Sequence, residues 1–600
     1  MIISLAFVVG RHCKLAAVGV FFILLALSVS QTPLVVHSGN AVTQQIPRRM
    51  FQRHRHRSHT IPPTVTFDPP EVTIGERLFL ETRFAQFFAV SGVGINESLP
   101  AGDPVLNFTL TTAAPLPGAF AGQSTNCRVC HFVDEHVEAV GGGMRTYGDF
   151  TFRSPISNRG DGLSTTPRNS PPLVNASLSR DGGALFHFDG EFATLPDLIK
   201  STFTGRNFGW QPRESDTALA QVARVIREDN GQGELAQEFG SLSYRVVLTG
   251  TDSTIPPEFK LPRAFRVDLT RATDRQILDA VAELVAAYTK HLEFSKDEEG
   301  NFNLSPFDVF LETNGLPRQP IQGETDLEFS RRLVRRISRL DARNELQFVY
   351  LNPNTENGSF EFHPDQPFRF TRTELNGLFI FFNEPRSASL FPAQVAAGGI
   401  GNCVACHAAP AFTDFRMHNI GATQSEYDGI HGSNAFANLP IPGLDERLLH
   451  HNQYLPGTPQ HPDANGRFRA VPREGNPNLT DLGLWNVFAN PDFPRPQSRI
   501  RQMLCDNVSN GNCSSSALLP KSIAFFKTAG LRDLNHGAPY LHNGQFATLE
   551  QVIALYRSSS ALQRIGHLRN GSPELGGIAL RPADINPLVA FLRSLNEDYQ

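Results

Sequence analysis

Wherever a pattern of apolar and polar residues persists along this chain, its period is that of a helix. Thr273-Asp274-Arg275-Gln276 has the form of a capping box, in which a hydroxyl and an amide side chain reciprocally close off a first helical turn. Apolar residues then follow at Ile277, Leu278, Val281, Leu284, Val285 and Tyr288, a spacing that predicts one buried helical face. Gly75-Glu76-Arg77-Leu78-Phe79 opens a shorter amphipathic segment after Pro69, where order is expected to begin. A charged helix is predicted over residues 329–340, followed by a Pro/Asn-rich stretch, and a further amphipathic helix from about Thr373 to a point before Cys403. The last helix is capped by residues 584–587 and carries Leu588, Val589, Phe591, Leu592 and Leu595. No alternation of period two runs for more than a few residues. The class expected is mainly α, with long loops.

The N-terminus breaks this pattern. Arg11, His12 and Lys14 precede an apolar run over residues 15–29, and Ser28-Val29-Ser30 ends it with small residues. That layout is a secretory signal peptide over residues 1–30, with an uncleaved anchor as the alternative. Residues 31–68 read as a basic, histidine-rich linker containing Arg53-His54-Arg55-His56-Arg57-Ser58-His59. A solvated tether is the expectation there, against binding of a metal or an acidic surface. The remainder is too long for one small core. It divides into an N-terminal domain over 69–318, an insertion over 319–372 and a C-terminal domain over 373–600. A formal net charge of −5 on 600 residues argues against a general polyanion binder, so no nucleic-acid partner is expected. After signal cleavage no segment is apolar for long enough to span a bilayer, and an exported, periplasmic chain is expected.

Seven cysteines then sort themselves. Cys13 leaves with the signal. Cys505 and Cys513 flank a loop rich in Asn, Ser and Gly and, in an oxidising compartment, form a disulfide or remain two free thiols. The other four lie in Cys127-Arg128-Val129-Cys130-His131 and Cys403-Val404-Ala405-Cys406-His407. Two thiols separated by two residues can form thioether bonds to the two vinyl groups of one porphyrin. The histidine that follows then lies beneath the ring and reaches iron, which is why Cys-x-x-Cys-His marks c-type haem attachment. A thioredoxin-like pair needs a βαβ setting that the pattern lacks. Paired zinc knuckles are disfavoured because the two motifs lie far apart in the chain and each is followed by histidine. Two covalent haems with His131 and His407 as proximal ligands are the expectation, and the sixth position on each iron decides between electron transfer and peroxide chemistry.

Beyond these motifs the sequence resembles the bacterial di-haem cytochrome c peroxidases, including the MauG-type enzymes. The likeness is carried in order by Gly75 to Phe79, Arg168-Asn169-Ser170-Pro171, Phe188-Asp189-Gly190 with Thr194-Leu195, and Ser305-Pro306-Phe307-Asp308. It continues through Gly401 to His407, Phe412-Thr413-Asp414, His418-Asn419-Ile420-Gly421, Leu531-Arg532, Ala538-Pro539-Tyr540, His542-Asn543-Gly544 and Thr548-Leu549-Glu550. The resemblance implies two class I cytochrome c-like helical domains, each with one covalent haem. It implies hydrogen peroxide reduction at the N-terminal haem, with electrons from a small donor protein, a c-type cytochrome or a cupredoxin, relayed through the C-terminal haem. A MauG-like enzyme oxidising an organic or protein substrate, and a non-catalytic electron carrier, are the other readings. A homodimer is compatible with each.

The resemblance also assigns residues. Tyr556 falls where the family places a sixth ligand to the second haem, with Met417 and His418 as rivals; His418 looks instead like a hydrogen-bonding residue. Phe188 stands where the family has a tryptophan between the haems. The family's distal histidine maps onto Tyr147 in a glycine-rich loop, so His136 and His187 are substitutes. Glu214 is the nearest carboxylate for proton transfer to the leaving oxygen, a role such catalysis needs. Calcium would be held by Asn169, Gly537 and Pro539, through oxygen ligands suited to a hard cation.

Overall fold

Four helices build the first core: α1 (Pro70–Phe79), α2 (Leu195–Phe203), α3 (Ser215–Glu228) and α4 (Asp274–His291). These belong to a computed structural model that describes residues 68–108, 123–134, 146–149, 153–178, 185–350, 368–387, 390–506, 511–532, 534 and 537–597. The expected signal peptide, all but the end of the linker, and His136 lie outside the described residues. Contacts divide the chain into Met1–Pro62 and Pro63–Gln600, and all that follows concerns the second unit.

Helix α4 is the centre of this core. Thr273 and Gln276 close its first turn as a reciprocal capping box, and Ile277, Val281 and Leu284 are fully buried. Helix α1 crosses it at Gly75, where a Cβ atom would stand 2.1 Å from the Leu284 carbonyl oxygen. Only a residue without a side chain lets the two backbones meet at that distance.

The second core repeats the device. It is built from α5 (Pro306–Thr313), α6 (Asp326–Ala342), α7 (Arg372–Phe382), α8 (Leu549–Arg564) and α9 (Ile585–Arg593). Gly377 of α7 lies against α9, where a Cβ would be 1.9 Å from the Pro587 carbonyl oxygen. Phe307, Phe381, Phe412 and Phe591 pack edge-to-face around this crossing. Residues 319–372, expected as an insertion, contribute directly to this core through Phe329, Leu333, Ile337, Val349, Phe368 and Phe370. The amphipathic helix expected from Thr373 is α7 followed by a separate turn, Pro392–Ala397, because Pro385 and Pro392 interrupt it.

A third cluster, within residues 417–525 plus Leu185, surrounds Trp485, Phe468 and Phe436 and is made of short helices and loops. Cys505 and Cys513 are joined as a disulfide beside it. Strands are few among the described residues: β1 (His131–Asp134) with β2 (Thr146–Asp149), β3 (Val349–Tyr350) with β4 (Arg369–Phe370), and β5 (Met417–His418) with β6 (Phe526–Lys527), each an antiparallel pair. The expectation of a mainly helical chain with long loops is met. No helix of the described residues is long and apolar enough to cross a membrane.

The two halves also share a local repeat. Phe186-His187-Phe188-Asp189-Gly190-Glu191-Phe192-Ala193-Thr194-Leu195 runs parallel to Tyr540-Leu541-His542-Asn543-Gly544-Gln545-Phe546-Ala547-Thr548-Leu549. Each is closed by one antiparallel bridge, Phe186 to Phe192 and Tyr540 to Phe546. Each has positive φ at the second residue, 62° at His187 and 73° at Leu541, and at Gly190 and Gly544. Thr194 and Thr548 then cap α2 and α8 through their side chains.

Candidate functional site

Each Cys-x-x-Cys-His motif forms a single 3₁₀ turn, Cys127–Val129 and Cys403–Ala405. An asparagine precedes each. Asn126 accepts from the Val129 amide and donates to the Leu80 carbonyl, tying the first motif to the end of α1. Asn402 takes a left-handed conformation and donates to the Glu574 carbonyl.

The second motif opens into a cavity of about 360 Å³, within the range of roughly 300–1,000 Å³ usual for ligand pockets. Cys403, Cys406 and His407 line it, with apolar groups from Phe381, Ile420, Val552, Ile553, Leu588 and Leu592. Burial pushes the Cys403 thiol up to about 12, which keeps it protonated and unreactive as a free thiol. His407 is held in one orientation: its Nδ1–H donates to the Phe412 carbonyl at 2.9 Å. Fixing one ring nitrogen in this way is how proteins aim the other at a metal. Burial also lowers the His407 pKa, which keeps the imidazole neutral.

Tyr556, on α8, lines the same cavity. Burial raises its phenol pKa, with the Cys406 and Cys403 thiols adding to the shift. The rivals sort differently. Met417 is packed into the third hydrophobic cluster and does not line the cavity. His418 does line it, but its Nε2 is 2.7 Å from Asp414 Oδ2. Burial opposes charge on His418, yet the Asp414 carboxylate wins and its pKa rises.

Phe188 reaches the same wall from the first half of the chain. Its ring is 6.5 Å from that of His542, which in turn stacks on Phe526 at 3.5 Å. Burial drives the His542 pKa down to about 3, so this stack is neutral. Beneath it lies a buried ionic network. Arg168 joins Asp189 at 2.7 Å and Asp481 at 2.5 Å, and Arg469 joins Asp189 and Glu191. The resemblance singled out Arg168 and Asp189, but Asp481 and Arg469 carried no motif and were missed.

The expected calcium residues converge in part. Asn169 Nδ2 lies 2.5 Å from the Pro539 carbonyl and 3.1 Å from that of Leu541. Asn169, Gly537 and Pro539 all border the cavity. Oxygen donors are therefore gathered there, although the Asn169 amide nitrogen already satisfies two of them.

The first motif is less fully described. Cys127 packs on the first core and Cys130 on a small cluster with Leu106 and Val129. Burial raises the Cys127 pKa. His131 starts β1, in register with Asp149, and Val133 pairs with Tyr147. Glu214 is ion-paired with Arg159 at 2.7 Å and caps the turn at Gln211. His187 is paired with Glu191 at 3.1 Å. Neither lines the cavity at the second motif.

No protein-family model matches the chain. It is 30% identical over 172 residues to the cytochrome-c peroxidase IdrP2 of Pseudomonas sp. (strain SCT), covering 29% of this chain and 38% of that protein. It is 34% identical over 198 residues to the cytochrome-c peroxidase IdrP1 of Denitromonas iodatirespirans, covering 33% and 38%. The match thus spans 38% of the length of each of these relatives. Among solved structures, a MauG-like protein associated with microbial copper homeostasis aligns at 15% identity over 90% of this chain and 92% of its own, with a TM-score of 0.38. The di-haem peroxidase BthA of Burkholderia thailandensis E264 aligns at 15% over 89% and 87%, with a TM-score of 0.37. TM-scores this low carry no weight for the fold. In its sequence and in the order of its motifs, the chain resembles the bacterial di-haem cytochrome c peroxidase and MauG-type family.

Proposed function

We propose that the chain is an exported di-haem c-type oxidoreductase of peroxidase type, with haem bound at Cys127 and Cys130 over His131 and at Cys403 and Cys406 over His407. When bound, the haems supply the redox chemistry, hydrogen peroxide being reduced at the N-terminal one with electrons from a small cytochrome or cupredoxin passed through the C-terminal one.

An asymmetry within the local repeat carries this reading. Aligning Thr194-Leu195 with Thr548-Leu549 sets Thr202 of α2 opposite Tyr556 of α8. Tyr556 brings a phenol oxygen, a competent iron ligand, into the second cavity. The Thr202 hydroxyl already donates to the Leu198 carbonyl of its own helix and is a poor ligand. At the two equivalent positions of the repeat, the described residues thus offer an oxygen that could hold iron at Tyr556 and none at Thr202, and this asymmetry is what would separate a closed haem from one open to a small substrate.

The remaining residues serve orientation. The Phe412 carbonyl aims His407, Asp414 holds His418 away from a ligating role, and the Phe188–His542–Phe526 stack excludes water from the wall nearest the first half. Calcium at Asn169, Gly537 and Pro539 would fasten that wall. Glu214 is tied to Arg159 and His187 to Glu191, so either would have to break that pair to deliver a proton to the leaving oxygen.

Tyr556 also favours a second reading, a MauG-like enzyme acting on a larger organic or protein substrate. Steady consumption of peroxide with a reduced small cytochrome supports the peroxidase. Peroxide-dependent spectral change without such turnover supports the MauG-like enzyme. Two irons that ignore peroxide and cyanide alike refute both in favour of an electron carrier.

A further inference from the structure

A second cluster of ligand-type side chains lies on the rim of the third hydrophobic cluster, and none of its members lines the cavity at the second motif. His451 opens the one-turn helix His451–Tyr454. His461 lies in the loop beyond it and stacks on His451, with ring centroids 3.7 Å apart. Asp492 turns its carboxylate toward both. Its Oδ2 is 2.9 Å from His461 Nδ1 and 3.4 Å from His451 Nε2.

These groups are not a solvated surface triad. The side chains of His451 and Asp492 are 9% and 4% exposed. His451 Nε2 is buried and meets Asp492 Oδ2 at 3.4 Å without a well-formed hydrogen bond, a geometry that leaves its lone pair or proton poorly satisfied. The Thr458 hydroxyl donates to Asp492 Oδ2 at 2.5 Å, and the His461 amide donates back to Thr458 Oγ1. An outer hydrogen bond that fixes a carboxylate in this way is what metal sites use to orient their ligands.

The spacing suits a small cation. Zinc bonds nitrogen and carboxylate oxygen at about 2.0–2.2 Å, so neighbouring ligand atoms of a tetrahedral site stand about 3.3–3.4 Å apart. The His451–Asp492 separation of 3.4 Å matches that edge, and the His461–Asp492 contact of 2.9 Å is slightly shorter. All three ligand atoms lie within 4.8 Å of one another. A slight tilt that unstacks the rings would bring both nitrogens onto one ion. Two imidazoles with one carboxylate exclude calcium and magnesium, which prefer oxygen alone, and select the zinc and copper class.

We propose that His451, His461 and Asp492 bind one divalent first-row transition ion of zinc-like preference, with Thr458 as the outer partner. His461 is 37% exposed and provides the entry side, leaving a fourth position for water. The ion would clip the 451–461 loop to the turn at Asp492 and so stabilise the loop-rich third cluster.

The test uses haem-loaded protein stripped with a chelator and titrated with zinc chloride. Because the tract around His54, His56 and His59 can take up the same ion, the measurements are made with those three residues changed to alanine. One zinc per chain, a raised Tm, and two nitrogens at about 2.0–2.1 Å in zinc X-ray absorption support the site. His461→Ala should then weaken zinc affinity by on the order of 100-fold or more, since loss of an outer partner alone costs about 10–100-fold. It should leave the haem spectrum and far-UV dichroism unchanged. No zinc uptake in the triple-alanine background overturns the proposal. So does uptake that His461→Ala and Asp492→Asn leave unaltered, or a His461→Ala destabilisation that is the same with and without zinc.

Discussion

The two halves of this chain carry the same attachment motif and the same local repeat, yet they do not present the same site. Around the second motif, His407 is aimed by the Phe412 carbonyl, and a tyrosine on α8 looks into an apolar cavity. At the first, the histidine starts a strand paired with Thr146–Asp149, and the repeat sets Thr202 of α2 opposite Tyr556 of α8. The helical frame is duplicated and the ligand chemistry is not. Under the proposed function, such a repeated scaffold would let one haem be held closed while the other stays available, without a second fold.

The comparison breaks first at the cysteines. Changing Cys403 and Cys406 together to alanine, in a host that matures c-type cytochromes, should yield protein lighter by one haem and poorly folded. Its second core wraps the emptied cavity. Changing Cys127 and Cys130 should remove one haem and leave the second cavity occupied. Intact mass and a pyridine haemochrome count read both outcomes. Two haems retained in either variant would refute the assignment.

The duplicated helix crossings give the next largest effect. In an exposed helix, Gly to Ala gains up to about 1 kcal/mol in propensity. At Gly75 and Gly377 the new methyl group would sit 2.1 and 1.9 Å from backbone oxygen. Overpacking of about 1–3 kcal/mol should therefore win. Both Gly75→Ala and Gly377→Ala should lower the Tm. A Tm equal to or above that of the parent contradicts the shared crossing.

Much of this was legible in the sequence, and the reason is periodicity. The capping box at Thr273 and the apolar spacing of α4 specify the helix locally, so its burial could be read in advance. The Pro-rich third cluster could not, because its order comes from contacts distant in sequence, such as Arg168 with Asp481. Nor did residues 319–372 disclose that Phe329, Leu333 and Phe370 complete the second core; a charged helix followed by a Pro/Asn-rich stretch looks like an appendage. Ser330 accepts a hydrogen bond from the Ala409 amide, just past the second motif, a tie no pattern predicts. For the site, the thiols, the two histidines, Tyr556 and Phe188 were all named from motif and resemblance. The asymmetry between Thr202 and Tyr556 was visible in principle as an internal repeat, but it gained meaning only once both segments had the same bridge and cap.

That asymmetry can be sharpened by single changes. Tyr556→Phe removes the phenol oxygen and should turn one six-coordinate ferric haem into a high-spin one, with the haem count unchanged. Thr202→Val should leave the spectrum as it was. A spectral change from Thr202→Val, or none from Tyr556→Phe, would reverse the assignment of open and closed sides.

A further effect is expected with pH. His542 is depressed to about 3 by burial, against an ordinary value of about 6.5. Between these values the unfolded chain binds a proton that the folded chain refuses, so stability rises with pH across that window. His542's contribution should be complete above about pH 6.5 and be lost as pH falls toward 3. Denaturant midpoints measured over this range should show a shallower slope in His542→Gln. An unchanged slope would mean that the residue is not buried neutral.

The most direct measurement is the visible and electron paramagnetic resonance spectrum of haem-loaded protein before and after adding hydrogen peroxide. Two haems per chain, one low-spin and indifferent to peroxide, the other high-spin and altered by it, are the predicted result. A single porphyrin per chain, or two low-spin haems that peroxide leaves untouched, would contradict the account.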